Sequence, residues 1–228
     1  MMLGARTGAW AKSGGGMPTA RDYVQDGLFM HLDAIENTRN GHVESSTNWN
    51  DLKGDFVISD LVGYTFEDNY LLCNPSSSGT PMLYPNGAPS NPVSAEFVFS
   101  TTVNAVVWQQ EMAPTNKFIA VYNGYLELGS NSTKAVPITY GKTYSVSVVY
   151  EGNTSSSDIV RCLLNGEDKT VSISDSWSGG DFSIGWRKGS GTYRLIGKLC
   201  GIRFYNRQLS KSEQMKNYAI DQARFGIP

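Results

Sequence analysis

Long apolar runs are missing from this sequence. No stretch approaches the roughly 18 consecutive apolar residues that a membrane-spanning helix needs, so no membrane partner is expected. Charge is sparse as well, at 18% of residues with a net charge of −2, which excludes the strongly basic surfaces that hold polyanions. Nine of the 19 basic residues fall within residues 187–224, against only Glu213 and Asp221. They alternate with apolar residues instead of forming a block, so they read as a solvated face and not as a nucleic-acid site. Cysteine is scarce. Cys73, Cys162 and Cys200 are odd in number and lack metal-ligand spacing. Cys162 and Cys200 fall at inward positions of expected strands, where a thiol serves as a small hydrophobe; a disulfide between them requires those strands to be neighbours. Only two histidines occur, His31 and His42, not spaced as a metal pair, and His31 reads as a packed or half-exposed side chain. No Gly-x-Ser-x-Gly elbow and no glycine-rich phosphate loop is found.

What the chain does hold is aromatic side chains and turns. With 12 Tyr, 9 Phe, 5 Trp and 24 Gly, the composition favours many short strands joined tightly. Two Asn-Gly pairs lie between alternating runs, the strongest short hairpin signal. Asn123-Gly124 joins residues 117–122 to 125–128, and Asn165-Gly166 joins residues 159–164 to 168–173. Residues 27–33, 94–100, 103–111, 142–150 and 181–186 also alternate as strands, and Leu28, Met30 and Leu32 share one face of the first. About a dozen short strands with frequent turns predict an all-β fold, a two-sheet antiparallel sandwich. Trp49 reads as a plug at one end of it, and Trp108 and Trp186 as core.

The chain ends on residues 198–225, a strand followed by a helix. Cys200, Ile202 and Phe204 fall on one face of the strand, Arg203 and Tyr205 on the other. Ser210 with Glu213 three residues on is a capping-box start. Met215, Tyr218, Ala219 and Gln222 follow at helical spacing, so a short C-terminal helix with one apolar side should lie against the sandwich. Residues 1–26 are dominated by Gly, Ala and Ser and read as an extended arm or linker outside the core, leaving residues 27–228 as the domain. Trp10, Leu3, Met1 and Met2 are its exceptions. They read either as docking residues for another subunit or as strays in a disordered tail.

The pieces GLFMHLDA, WNDLKG, KTYSVSVVYEG, VRCLLNGE, FSIGWR and KLCGIRFYNRQLSKSEQ, in that order, resemble the laminin-G-like group of concanavalin A-like jelly rolls over residues 27–228. The form with LDAIENT, WNDL and NYAIDQARFGI resembles that of gut bacteria and their phages. The resemblance implies a jelly-roll β-sandwich with first and last strands adjacent, and recognition of a glycan or a surface protein. Asp68 and Asn69 match the residue types with which some relatives hold calcium at the rim, but no carboxylate cluster accompanies them and no cofactor or metal is expected.

The same fold hosts glycoside hydrolases, whose two carboxylates sit together on one strand face. Glu96, Glu111 and Glu127 each stand alone, and the adjacent pairs Glu67-Asp68 and Glu167-Asp168 fall at turns. On that basis the chain is expected not to be an enzyme. Trp177, with Asp175 beside it in a Ser- and Gly-rich loop, is the leading candidate to stack on a sugar, or else a loop residue folded over the core. Tyr84 between two prolines is a weaker candidate of the same kind. The expected function is a carbohydrate-recognition module on a virion or cell surface. The alternative is a phage structural subunit, of the head-decoration or tail-associated kind, joined to capsid or tail subunits through the N-terminal arm or self-associating. The first 22 residues lack the apolar core of a secretory signal, so the signal was trimmed or export occurs otherwise, as inside a virus particle.

Overall fold

The computed structural model describes residues 16–54, 56–74, 82–83, 93–110, 117–129, 133–151, 158–173, 182–186 and 193–228. In chain order the strands are β1 (Leu28–Asp33), β2 (Trp49–Asn50), β3 (Val57–Ile58), β4 (Tyr64–Glu67), β5 (Tyr70–Cys73), β6 (Met82–Leu83), β7 (Ser94–Thr101), β8 (Ala105–Gln110) and β9 (Lys117–Tyr122). They continue with β10 (Tyr125–Leu128), β11 (Thr133–Pro137), β12 (Tyr144–Glu151), β13 (Asp158–Leu164), β14 (Glu167–Asp168), β15 (Val171–Ile173), β16 (Phe182–Ile184) and β17 (Gly197–Tyr205), before helix α1 (Lys211–Phe225). The large sheet runs β14-β13-β12-β7-β17-β5-β4, with β1 also on β17 and β15 on β13. The second sheet runs β11-β10-β9-β8-β16-β6, and β2 and β3 form a small pair of their own. All pairings are antiparallel. The two sheets close on one core, in which Phe97, Val146, Val148, Ile202 and Phe204 of the large sheet meet Val107, Trp108, Ile119, Val121 and Leu126 of the second. The expected all-β sandwich with one C-terminal helix is what forms. Among the described residues no helix is long and apolar enough to cross a membrane.

Local chemistry explains the connections. Both Asn-Gly turns take left-handed backbone at two successive residues, with φ of 50° and 76° at Asn123-Gly124 and 49° and 76° at Asn165-Gly166. The expected strand closure also forms: β1 lies along β17, with Leu32 opposite Ile202 and Met30 opposite Phe204. Ser210 caps α1 through the Glu213 N–H while the Glu213 side chain returns to the Ser210 N–H. Arg207 pairs with Glu213 at 2.7 Å and, with Ser210, holds that carboxyl down to about 2. Trp49 is fully buried, its Nε1 donating to the Asp33 carbonyl, and Trp108 fills the core.

Several expectations change. A bulge at Cys200 reverses the alternation of β17, so Leu199, Ile202 and Phe204 face the core while Cys200 joins Val98, Phe225 and Ile227 under the helix. Cys162 faces the core from β13, separated from β17 by two intervening strands of the sheet, so a Cys162–Cys200 disulfide is ruled out and all three cysteines are free and buried. Burial pushes the thiols of Cys162 and Cys200 up to about 12. A second bulge, between Leu28 and Met30, turns Leu28 away from Met30 and Leu32 toward Val149, Tyr205 and Leu209.

The helix is the largest correction. Its buried face is Gln214, Asn217, Ile220, Asp221, Arg224 and Phe225, whereas Met215 is 40% exposed. Most of that face is polar, and polar groups on the sheet answer it. Arg203 donates to Glu96 (2.8 Å) and Asp221 (2.9 Å). Asn217 donates to Glu96 (2.9 Å) and Tyr205 (3.0 Å), Gln214 to Ser147 (2.9 Å), and Arg224 to Asp33 (2.8 Å). Arg203 and Arg224 are therefore buried cations and not part of a solvated face. Residues 18–24, read from sequence as outside the core, complete this layer. Tyr23 donates to Asp221 (2.9 Å), the Val24 N–H to Asn217 (2.9 Å), and the Pro18 carbonyl accepts from Arg224 (2.8 Å).

His31 is buried in the same layer, with Nε2 3.6 Å from Asp33 and its ring edge-on to Tyr23. Burial holds it below its ordinary value against the pull of Asp33, with Arg203 and Arg224 also opposing the proton. The folded state thus keeps His31 neutral where the unfolded chain takes up a proton, so stability falls as pH drops below about 6.5. Urea midpoints at pH 7.5 and 5.5 should differ in the parent chain, and His31→Gln should narrow that difference. An equal difference in both chains excludes His31 as the source.

Candidate functional site

Trp177, Asp175 and Tyr84, and the arm residues Trp10 and Leu3, lie outside the described residues. Asp68 and Asn69 form the turn between β4 and β5, and among the described residues no group of three or more His, Cys, Asp or Glu side chains is placed to hold a metal ion. Glu96 lies buried beneath α1, and Glu127 sits on the other sheet, so the two do not share a face.

The described surface carries a different cluster, which the sequence reading passed over. On β9 and β10 the side chains of Ile119, Val121, Leu126 and Leu128 point into the core. Alternation therefore turns Tyr122 and Tyr125 outward. The two are paired directly across the hairpin and are 37% and 36% exposed. Tyr193 stands against Tyr122 with ring centroids 5.8 Å apart at 62°. Tyr140, 39% exposed, comes from the turn before β12. Four tyrosines from three separate segments thus gather at one end of the second sheet.

Two features show that this arrangement is built. Tyr193 has φ of 63°, a conformation costly for a bulky side chain, and its carbonyl is held by the Val106 N–H at 2.9 Å. The hairpin turn is tied by side chains: Tyr140 Oη accepts from the Gly124 N–H (3.0 Å) and donates to Asn104 Oδ1 (2.5 Å). Asn104 Oδ1 also accepts from the Asn123 N–H (2.8 Å). A hydrogen bond with Tyr193, together with nearby Glu127, raises the Tyr122 phenol above its ordinary value. The result is a set of exposed, oriented rings edged by amides. Such a set has flat apolar faces to stack against and polar atoms to fix orientation. The tyrosines flanking Asn123-Gly124 were the one signal in the sequence; Asn104, Tyr140 and Tyr193 are too far away along the chain for any local pattern to include them.

No protein-family profile matches the chain, and no curated protein matches it in sequence. Solved structures do share its fold. Domain 4 of AbnA, an extracellular GH43 arabinanase from Geobacillus stearothermophilus solved with arabinotriose, is 16% identical over 84% of this chain and 98% of that one, with a TM-score of 0.58. Trypanosoma rangeli sialidase in complex with sialic acid is 14% identical over 93% of this chain, with a TM-score of 0.52. The binding domain of Paraclostridial Mosquitocidal Protein 1 is 13% identical over 84% of this chain, with a TM-score of 0.54. The chain spans 35% of the sialidase and 52% of the mosquitocidal-protein structure. The expectation that the chain is not an enzyme is corrected by these likenesses, because the same sandwich occurs within the chains of a sialidase and an arabinanase. What the comparisons establish for this chain is its fold, a β-sandwich that also occurs in a domain of an arabinanase, in a sialidase and in the binding domain of a mosquitocidal protein.

Proposed function

We propose that this chain is a carbohydrate-binding module of the laminin-G-like kind, and that it holds its glycan on the surface formed by Tyr122, Tyr125, Tyr140 and Tyr193. The observation that carries this reading is the outward tyrosine pair organised around a strained Tyr193. Stacking on sugar faces needs exposed, immobilised rings with amide groups alongside, and these residues supply both. The arabinotriose held by the AbnA domain supports the same reading for a sandwich of similar extent.

Display on a virion or cell surface fits this arrangement. Residues 18–24 seat on the helix-bearing face of the large sheet, whereas Tyr122 and Tyr125 lie on the opposite sheet. An attachment made through residues 1–15, Trp10 and Leu3 included, would leave the tyrosine surface pointing away from the support.

The test is a glycan array with the full chain, followed by calorimetry on the strongest ligand. Tyr122→Ala should weaken that ligand by roughly thirtyfold, the loss of a binding hot spot of about 2 kcal/mol, with the melting temperature unchanged. A chain that binds no glycan, or a Tyr122→Ala variant that binds as tightly as the parent, overturns the proposal.

A further inference from the structure

The surface just described includes one side chain whose orientation is dictated by its neighbours. The Asn123 and Gly124 N–H groups are obligate donors at the two left-handed positions of the hairpin turn. The first points at Asn104 Oδ1 at 2.8 Å, so the atom facing it must be an oxygen. The second is accepted by Tyr140 Oη at 3.0 Å, which leaves the phenol proton to be donated onward to the same Asn104 oxygen at 2.5 Å. The amide oxygen of Asn104 is thereby saturated by two donors, and its rotation is fixed from two directions.

The consequence falls on the other end of that amide. Asn104 is partly exposed, and among the described residues its Nδ2 group makes no hydrogen bond to the protein. Its oxygen is held by Tyr140, itself one of the exposed tyrosines, so the amide belongs to the aromatic surface. A pre-oriented donor pair beside stacking rings is what distinguishes one sugar from another, because hydroxyl and ring oxygens accept where apolar ring faces only stack. We infer that Asn104 is the specificity-determining residue of the tyrosine surface. Its Nδ2 donates to an oxygen acceptor of the bound glycan, and Tyr140 acts as the positioning residue that holds the amide. This rests on the carbohydrate-binding reading and adds to it the residue that selects the ligand.

The experiment uses the full chain and compares Asn104→Asp, Tyr140→Phe and Tyr122→Ala by calorimetry. The probes are arabinotriose and the strongest neutral oligosaccharide found on an array. Asn104→Asp keeps both acceptor oxygens for Asn123 and Tyr140 and so preserves the hairpin, but it has no donor to offer. It should weaken binding about tenfold with an unchanged melting temperature. Tyr140→Phe keeps the ring and releases the amide, and should weaken binding by roughly three- to fivefold. It is the arbiter if Asn104→Asp lowers the melting temperature. If Tyr122→Ala abolishes binding while both other variants bind as the parent does, the role of Asn104 is overturned and the binding surface stands. If Tyr122→Ala has no effect, the surface itself is wrong and the inference falls with it.

Discussion

Asp221→Ala should cost about 3–5 kcal/mol of folding stability, the loss expected when one partner of a buried charge pair is removed and the other is stranded. Asp221 lies on the inner side of α1 and is 1% exposed. Its Oδ2 accepts from Arg203 (2.9 Å) and Ser145 (2.8 Å), and its Oδ1 accepts from Tyr23 (2.9 Å). Three donors on three separate segments lose their acceptor at once. Arg203 then retains Glu96 alone to balance a guanidinium that is itself 1% exposed. Asp221→Asn, which keeps the shape but not the charge, should fall between the parent and the alanine variant. Pairing Arg203→Met with Asp221→Ala should recover part of the summed single losses, since the guanidinium is no longer stranded, while Glu96, left without its cation, keeps the recovery incomplete. Denaturant unfolding decides this: a loss below about 1 kcal/mol for Asp221→Ala would show that the layer beneath α1 is not a coupled network.

That layer also explains what was legible in the sequence and what was not. Features set by adjacent residues were readable. The Asn-Gly turns declare their backbone, and Ser210 with Glu213 declares a helix start. The closure of β1 on β17 was readable from the resemblance, which implies adjacent first and last strands. Face assignments failed where one extra residue entered a strand. The bulge at Cys200 reverses the parity of everything counted from it, and no composition rule marks it. The helix was misread for a different reason. Periodicity searches for apolar residues, whereas this helix buries Gln214, Asn217, Asp221 and Arg224 against polar groups contributed by β1, β7, β12 and β17. The stretches that carry the family resemblance take on a physical meaning here. Asp33, Asp51, Arg203, Asn217, Asp221 and Arg224 are all buried, and each ties one segment to another. Asp51, for instance, accepts from the His31, Lys53 and Gly54 N–H groups, so WNDLKG is a clamp on β1. Those motifs specify how the sandwich and helix lock together. The tyrosine surface owes nothing to them, and it was hidden because its members are distant in sequence.

Removing residues 1–24 should cost at least as much as Tyr23→Ala alone, about 3–5 kcal/mol, and removing residues 1–15, which spares every contact made by residues 18–24, is the comparison for it. The difference lies in nine residues. Tyr23 is 1% exposed, its ring lies under the Arg203 guanidinium at 3.9 Å, and its hydroxyl donates to Asp221. The Val24 N–H satisfies Asn217, whose amide in turn donates to Glu96 and Tyr205. Cutting after Val24 therefore opens the buried network to water from one side, strands Asn217 and uncovers the Arg203 guanidinium that the Tyr23 ring covers. Tyr23→Phe separates these contributions: it keeps the ring over Arg203 but removes a hydrogen bond to a carboxylate, and should cost about 1.5–3 kcal/mol. The cut at residue 15 also fixes how an attachment role for the N-terminal segment has to be tested. A deletion through Thr19 takes away the Pro18 carbonyl that Arg224 holds, and with it the Thr19 contacts to Asp22, so lost assembly after that deletion would mix lost docking with a weakened domain. A deletion of residues 1–15 that preserves the melting temperature and abolishes attachment to a particle isolates docking. If that shorter deletion lowers the melting temperature by as much as the longer one, the contacts of Tyr23 and Val24 are not the source of the loss.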